Sequence, residues 1–244
     1  VETATLPEFT KSHEVRLTKR GLSAKAIEGG KGAALDPYRS DIRLLQVYGG
    51  GERCAVFDMQ KVPWSALAPL WSHQLVAHNL QFELKFLKAL GIQPEIAECT
   101  LQAAGLLLGV HRRGLAVAAR EYLGWDMPKD LQASDWGVPA LSADQIAYAA
   151  LDAVAALLLW HRLEADLHAK GRWEAYVLQR DAIEAAVEME MAGIGVDIEA
   201  LEEVIAEWSR KLSEARSLWQ EETGTPPPEK PNQVRQWLSD NLDT

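Results

Sequence analysis

The sequence predicts an α/β domain, a central mixed sheet flanked by helices, followed by an all-helical extension. Three observations carry this reading. Short strand-like runs come first and long helical patterns later, the order expected when helices cover a sheet. Apolar residues make up 48% of the 244, enough to bury a sizeable core. After residue 171 two long amphipathic patterns follow one another with no strand pattern between them.

The elements can be justified in order. The chain opens on VETATL, which reads as the middle of a strand, and closes in a helical pattern, NQVRQWLSDNLDT, so a piece of a longer protein is expected. A long polar segment runs from Ala4 to about Asp41. IRLLQVYGG and ERCAVFDM then read as two strands joined by a glycine-rich hairpin. PWSALAPLW is a short helix with proline near its start. QLVAH is a third strand, and NLQFELKFLKALG a helix closed by Gly91. CTLQAAGLLLG and GLAVAAREYLG are helices ending at Gly109 and Gly124. DMPKDLQASDWG is a loop, and the long helix after it opens at a serine cap, Ser142. The helices WEAYVLQRDAIEAAVEMEMAG and IEALEEVIAEWSRKLSEARSLWQEETG flank an extended IGVD link, and TPPPEKP forces an extended linker before the last helix. The expected boundary lies near residue 170, giving a first domain of 1–170 and a helical module of 171–244.

The formal net charge is −10, but it is unevenly spread: residues 171–244 hold 16 acidic and 7 basic side chains, leaving the first 170 nearly neutral. A basic stretch, KSHEVRLTKRGLSAKAIEGGKG, lies in the first part and reads either as a solvated loop or as a surface that meets phosphate. The two cysteines, Cys54 and Cys99, have no metal-ligand spacing and suit a reducing compartment. No secretory signal pattern is visible, and runs such as AVAALLLW are too short to span a bilayer. A soluble, cytoplasmic protein with no membrane partner is expected.

Three places carry carboxylates in an order that suggests chemistry. Glu2 lies on the opening strand. Glu83 lies on a helix just after His78-Asn79. Tyr148 and Asp152 are four apart and so stack on one helix face. Taken singly, Glu2 and Glu83 read as ordinary surface residues. Asp152, inside AALDAVAALLLW, is costly to bury unless it is paired or binds a cation. Carboxylates converging on one point suit hard ions with oxygen ligands, Mg²⁺ or Mn²⁺. Two such ions about 3.5–4 Å apart can clamp the attacking and leaving oxygens of a phosphodiester.

The order and wording of these places resemble the 3′–5′ exonuclease family with three motifs, Asp-x-Glu, His/Gln-Asn-x-x-Phe/Tyr-Asp and Tyr-x-x-x-Asp. AHNLQFELKFLKALGI is similar to the second motif and LSADQIAYAALDAVAALLLWHRL to the third, over about residues 1–168. IEAAVEMEMAGIGVDIEALEEV resembles the join between the proofreading and polymerase domains of family A DNA polymerases, and KPNQVRQWL the helix start beyond it. The resemblance implies a ribonuclease H-like topology and two divalent ions, Mg²⁺ or Mn²⁺. It implies Glu2, Glu83 and Asp152 as metal ligands and Tyr148 as the residue orienting the attacking water. It also implies Thr3, Leu6 and Asn79 at a single-stranded DNA 3′ end or primer-template, and the remainder of a polymerase chain as partner. The polymerase's own metal and nucleotide motifs are not in this sequence.

The sequence departs from the pattern in two ways. The aspartate two positions before Glu2 would precede Val1, and Glu83 stands where the family has aspartate, one methylene further out. The departures keep open a non-catalytic scaffold supporting a polymerase, and a ribonuclease D-like enzyme acting on RNA 3′ ends remains a third reading.

Overall fold

The strands and helices of the computed structural model follow the chain as β1 (Glu2–Thr5), β2 (Leu22–Ser23), β3 (Ala26–Glu28), β4 (Ile42–Val47), β5 (Arg53–Asp58), β6 (Gln74–Ala77), α1 (Leu80–Ala89), β7 (Ile96–Cys99), α2 (Thr100–Leu108), α3 (Leu115–Leu123), α4 (Ala143–Ala169), α5 (Trp173–Ala192), α6 (Ile198–Thr223) and α7 (Pro231–Asn241). The structure describes residues 2–5, 22–23, 26–28, 36–38, 40–128 and 134–241, with the backbone alone at 2–5, 22–23, 26–28 and 96.

β4 and β5 form the expected antiparallel hairpin, with Gln46 opposite Val56. Its turn needs left-handed backbone, which Gly50 (φ 101°) and Gly51 (φ 84°) supply without a Cβ penalty. The Tyr48 hydroxyl closes the turn by donating to the Gly51 carbonyl at 2.9 Å. The proline-led helix is a 3-10 helix, Trp64–Leu70. α3 ends as anticipated at Gly124, whose φ of 69° makes the left-handed cap.

One four-stranded sheet has the order β1-β5-β4-β3, its paired strands all antiparallel. A second has the order β2-β6-β7, all parallel. β3 ends the first sheet and β2 ends the second, and two residues separate them in the chain. β3 therefore flanks β4 and β2 flanks β6.

α4 is the core helix. It packs on β2, β4, β5 and β6 and against α2 and α3. Ala149, Ala150 and Ala153 are fully buried, as are Ala103 and Ala104 of α2 and Ala118 and Ala119 of α3, so the three helices approach with little side chain between them. Further along, Leu159, Trp160 and Leu163 fill the wider space beside Trp173 and Tyr176. α4 is long and apolar enough to cross a membrane by length and composition, but 67% of its apolar window is buried inside the protein, as befits the helix at the centre of a core.

The first compact unit runs to Ala192, beyond the boundary near 170 read from the sequence. Helix α5 belongs to it because its buried face, Tyr176, Ile183 and Val187, packs on α1, α2 and α4. The second unit begins at Gly193. Within it, Asp197 caps α6 by accepting from the Ala200 amide at 3.0 Å. Trp219 of α6 meets Trp237 of α7 edge-on at 4.8 Å, closing the chain around its proline-rich link.

Candidate active site

In a parallel sheet, ligands bind outside the carboxyl ends of the strands. Here β6 ends at Ala77, His78-Asn79 makes the turn, and α1 begins. The His78 ring nitrogen Nδ1 lies 2.9 Å from the Thr100 hydroxyl, and that hydroxyl donates to the Ala77 carbonyl at 3.3 Å. The ends of β6 and β7 are thereby tied together beneath the turn. Asn79 is exposed and left-handed (φ 74°), the only non-glycine residue with positive φ among those described. Asparagine tolerates that conformation better than most residues.

Glu83 shares the buried face of α1 with Leu80, Phe86 and Leu87 and is 6% exposed. It sits in the first turn, where the helix dipole favours negative charge. That term supplies only about 0.3–1 kcal/mol, less than burying a carboxylate costs. The sequence's surface reading of Glu83 therefore fails, because its position three residues after Leu80 turns it inward.

Asp152 is 5% exposed in a stretch of α4 buried continuously from Ala149 to Leu157. Tyr148, one turn before it, is half-buried, with its ring 6.1 Å from that of Trp136. The segment bearing Trp136 is held from two sides. The buried Arg43 of β4 pairs with Asp58 at 3.3 Å, bonds the Gln60 side chain, and donates to the Val138 and Pro139 carbonyls. Gln145 donates to the Asp135 carbonyl at 2.9 Å and closes a capping box with Ser142. Tyr148 is positioned by this framework, and nothing in its local sequence announced Trp136 as its neighbour.

Not every buried carboxylate belongs to a reaction. Glu98 of β7, 3% exposed, accepts from the Tyr176 hydroxyl at 2.6 Å, Arg180 at 3.1 Å and Gln74 at 3.3 Å. The Tyr176 hydroxyl in turn accepts from the Cys99 amide at 2.9 Å. Burial and then the Glu98 charge push the Tyr176 phenol up. This cluster clamps α5 onto β7. Burial likewise pushes the Cys54 thiol up to about 12 and raises that of Cys99, so neither is a ready nucleophile.

The expected site residues divide. Glu83 and Asp152 lie on α1 and α4, and both helices pack on β6. Asn79 stands exposed at the turn between β6 and α1. The backbone of β1, which carries Glu2, packs against α4, the helix of Asp152. β1 pairs with β5 at the outer edge of its sheet, with Glu2 opposite Val56, and three strand spacings of about 4.8 Å separate β1 from β3. The sequence reading took Glu2 as the glutamate of the first motif; the structure gives the place of its strand, at the end of the first sheet. Thr3 shares β1, and Leu6 lies outside the described residues.

Glu83 and Asp152 supply hard oxygen donors, which fit Mg²⁺ or Mn²⁺ in kind. Among the described residues, no three His, Cys, Asp or Glu side chains group as a metal set, so any third donor must come from outside the described side chains.

The family described as 3′-5′ exonuclease matches over residues 32–168. The chain belongs to that 3′–5′ exonuclease family, in the form associated with family A DNA polymerases, and its fold is ribonuclease H-like as anticipated. Over 117 residues it is 38% identical to DNA polymerase I of Aquifex aeolicus (strain VF5), a match spanning 46% of this chain and 20% of that protein. Brucella melitensis NrnC superposes with a TM-score of 0.63 at 25% identity, covering 75% of this chain and 91% of NrnC. Structures of NrnC bound to pGG and with Mg²⁺ give 0.63 and 0.62, each at 24% identity, covering 73% of this chain and 88% and 89% of theirs. Escherichia coli RNase D, an exoribonuclease, shares the fold at 20% identity, with a TM-score of 0.61 over 69% of this chain and 45% of its own.

Proposed function

We propose that this chain is the proofreading part of a DNA polymerase I-like protein, taking a frayed or single-stranded DNA 3′ end and releasing nucleoside monophosphates. The observation that carries the reading is the pair of buried carboxylates, Glu83 and Asp152, on two helices that pack on the same parallel strand. Identity to a DNA polymerase I favours the polymerase context. The helical module after Gly193 is the natural candidate for the start of the polymerase domain, on its sequence resemblance to that join. Such a chain works in the cytoplasm, on the nucleoid.

Glu83 and Asp152 would hold a divalent cation, Mg²⁺ or Mn²⁺. The NrnC structure with Mg²⁺ is in keeping with this. When bound, the ion supplies charge stabilisation for the phosphoryl oxygens and lowers the pKa of water. The chain's own residues do the rest. Tyr148, held against Trp136, orients the attacking water with its hydroxyl. Asn79, exposed at the turn, meets the terminal nucleotide. The apolar wall around Asp152 keeps the local dielectric low and strengthens its hold on a cation.

A second reading, an enzyme acting on RNA or short oligonucleotides, is favoured by the likeness to NrnC at 25% identity and by the NrnC complex with pGG. A single assay separates the two. The chain is given DNA and RNA oligonucleotides of one sequence, labelled for 3′-end release, with Mn²⁺ or Mg²⁺ or with chelator. Mononucleotide release from DNA in preference to RNA is expected, lost with chelator, and reduced at least about a hundredfold by Asp152→Asn. Faster release from RNA establishes the second reading. A folded chain that releases nothing from either substrate and does not bind the 3′ end removes both.

A further inference from the structure

Gln145, Tyr148 and Asp152 are spaced i, i+3, i+7 and so lie along one stripe of α4. The segment bearing Trp136 is laid against the start of that stripe. The buried Trp136 ring meets the Tyr148 ring at 6.1 Å and 41°, a separation at which tilted aromatic pairs attract. Residues 135–140 belong to no helix or strand, so the place of Trp136 depends on what grips the segment from outside.

Two side chains do so. Gln145 grips the Asp135 carbonyl from α4 itself. Arg43 grips the Val138 and Pro139 carbonyls from the first sheet, at 3.3 and 3.4 Å. Behind the segment, Arg43 is moored to the end of β5, through Asp58 at 3.3 Å, and to the Gln60 side chain just beyond it. That strand end is itself a closed turn. The Lys61 and Val62 amides donate to the Asp58 carbonyl at 2.9 and 3.0 Å, and the Gln60 amide donates to the Asp58 side chain at 3.2 Å. Arg43 therefore ties a fixed strand end to the segment that backs Tyr148.

Stability alone gives a poor account of an arginine at this position. It is buried, and its Nε makes no hydrogen bond among the described residues. A buried ion pair is often no more stabilising than well-packed apolar side chains of the same volume. What arginine does supply is a planar fork, which here meets a carboxylate, an amide oxygen and two backbone carbonyls at once.

We propose that Arg43 is a positioning residue for nucleotide release: it holds residues 138–139, and through them Trp136, so that the Tyr148 hydroxyl stays where it orients the attacking water. The proposal rests on the exonuclease reading of the domain. Arg43 is buried out of reach of a nucleotide, so its loss lowers kcat and leaves KM unchanged.

The test uses the whole chain in four forms: unsubstituted, Arg43→Met, Arg43→Lys and Trp136→Phe, with circular dichroism confirming that each is folded. Each is also prepared with 3-fluorotyrosine at its five tyrosines and followed by fluorine magnetic resonance, the Tyr148 line being assigned with Tyr148→Phe. Release from a 3′-labelled single strand with Mn²⁺ is measured in parallel on the unlabelled chains. In Arg43→Met the Tyr148 line is expected to move while those of Tyr122 and Tyr176 stay, and kcat to fall at least about tenfold at constant KM. Trp136→Phe moves the same line, and Arg43→Lys, which keeps the charge but not the fork, fails to restore the rate. A Tyr148 line and a kcat both unmoved in Arg43→Met overturn the proposal. So does a loss that lies in KM. If Arg43→Met does not fold, Arg43→Lys decides, and full kcat with an unmoved line in that variant overturns the proposal. If the unsubstituted chain releases nothing, the exonuclease reading falls, and the fluorine line still decides whether Arg43 holds Tyr148.

Discussion

Helices α4 and α6 have nearly the same length, 27 and 26 residues, and are held in place by different physics. α4 buries fourteen residues, from Gln145 to Leu167, whereas α6 buries none. Both start at a satisfied cap, the Ser142 box and the Asp197 carboxylate. Beyond its cap, α6 is supported locally: Arg210 reaches Glu214 and Lys211 reaches Glu207 one turn apart, and the Lys211 ammonium sits 5.0 Å above the Trp208 ring. Its apolar stripe, Leu201, Val204, Ile205, Trp208 and Leu212, is 43–64% exposed. α4 has few such pairs and gains its stability from tertiary burial, worth roughly 1.5–3 kcal/mol for each large side chain. The helix that makes the core is also the helix that carries Asp152. The apolar packing around it offsets part of the cost of burying a carboxylate there.

The sharpest way to break the comparison is to shorten a side chain on each helix. Leu163→Ala, at a fully buried position, is expected to cost about 2–5 kcal/mol in urea unfolding, and Ile205→Ala within about 0.5 kcal/mol. Equal costs would mean that α6 is buried in solution. An intermediate effect is expected from the caps. Ser142→Ala and Asp197→Ala should each cost about 1 kcal/mol. The first should appear in global unfolding and the second only as faster amide exchange in the first turn of α6.

The smallest effect separates the two units by pH. Burial and the Glu98 charge raise the Tyr176 phenol, and burial with the Asp166 contact pushes Tyr122 up to about 12. A group whose pKa is higher in the fold holds its proton more tightly there. Its stabilisation is complete below the unfolded value of about 10 and declines as pH rises through the folded value. The stability of the first unit should therefore fall in urea titrations above about pH 10, less steeply in Tyr176→Phe. The helicity of α6, which has no tyrosine, should not follow it.

Much of this was legible in the sequence where the signal is local. The β4–β5 hairpin was announced by its glycines, α3 by Gly124, α4 by Ser142, and α1 by its apolar spacing. Asp152 could be singled out because a carboxylate amid AALDAVAALLLW conflicts with its neighbours. The polar stretch before Asp41 concealed β2 and β3, which are two and three residues long and show no alternation. β7 was also missed, since IAEC is short and its partner β6 lies about twenty residues back. α5 was assigned to the later module because its own pattern is that of a free amphipathic helix. Glu98, Tyr176 and Arg180, which hold it to the first unit, are 78 and 82 residues apart in pairs.

The sequence alone therefore determined the helices, their ends and the misfit of Asp152, because periodicity, caps and glycines act over a few residues. Only the tertiary structure decided which strands flank β4 and β6, that Glu83 turns inward, and that Glu98 is a clamp. Those outcomes depend on pairings between distant segments, whose free energy comes from burial and register that no local pattern encodes.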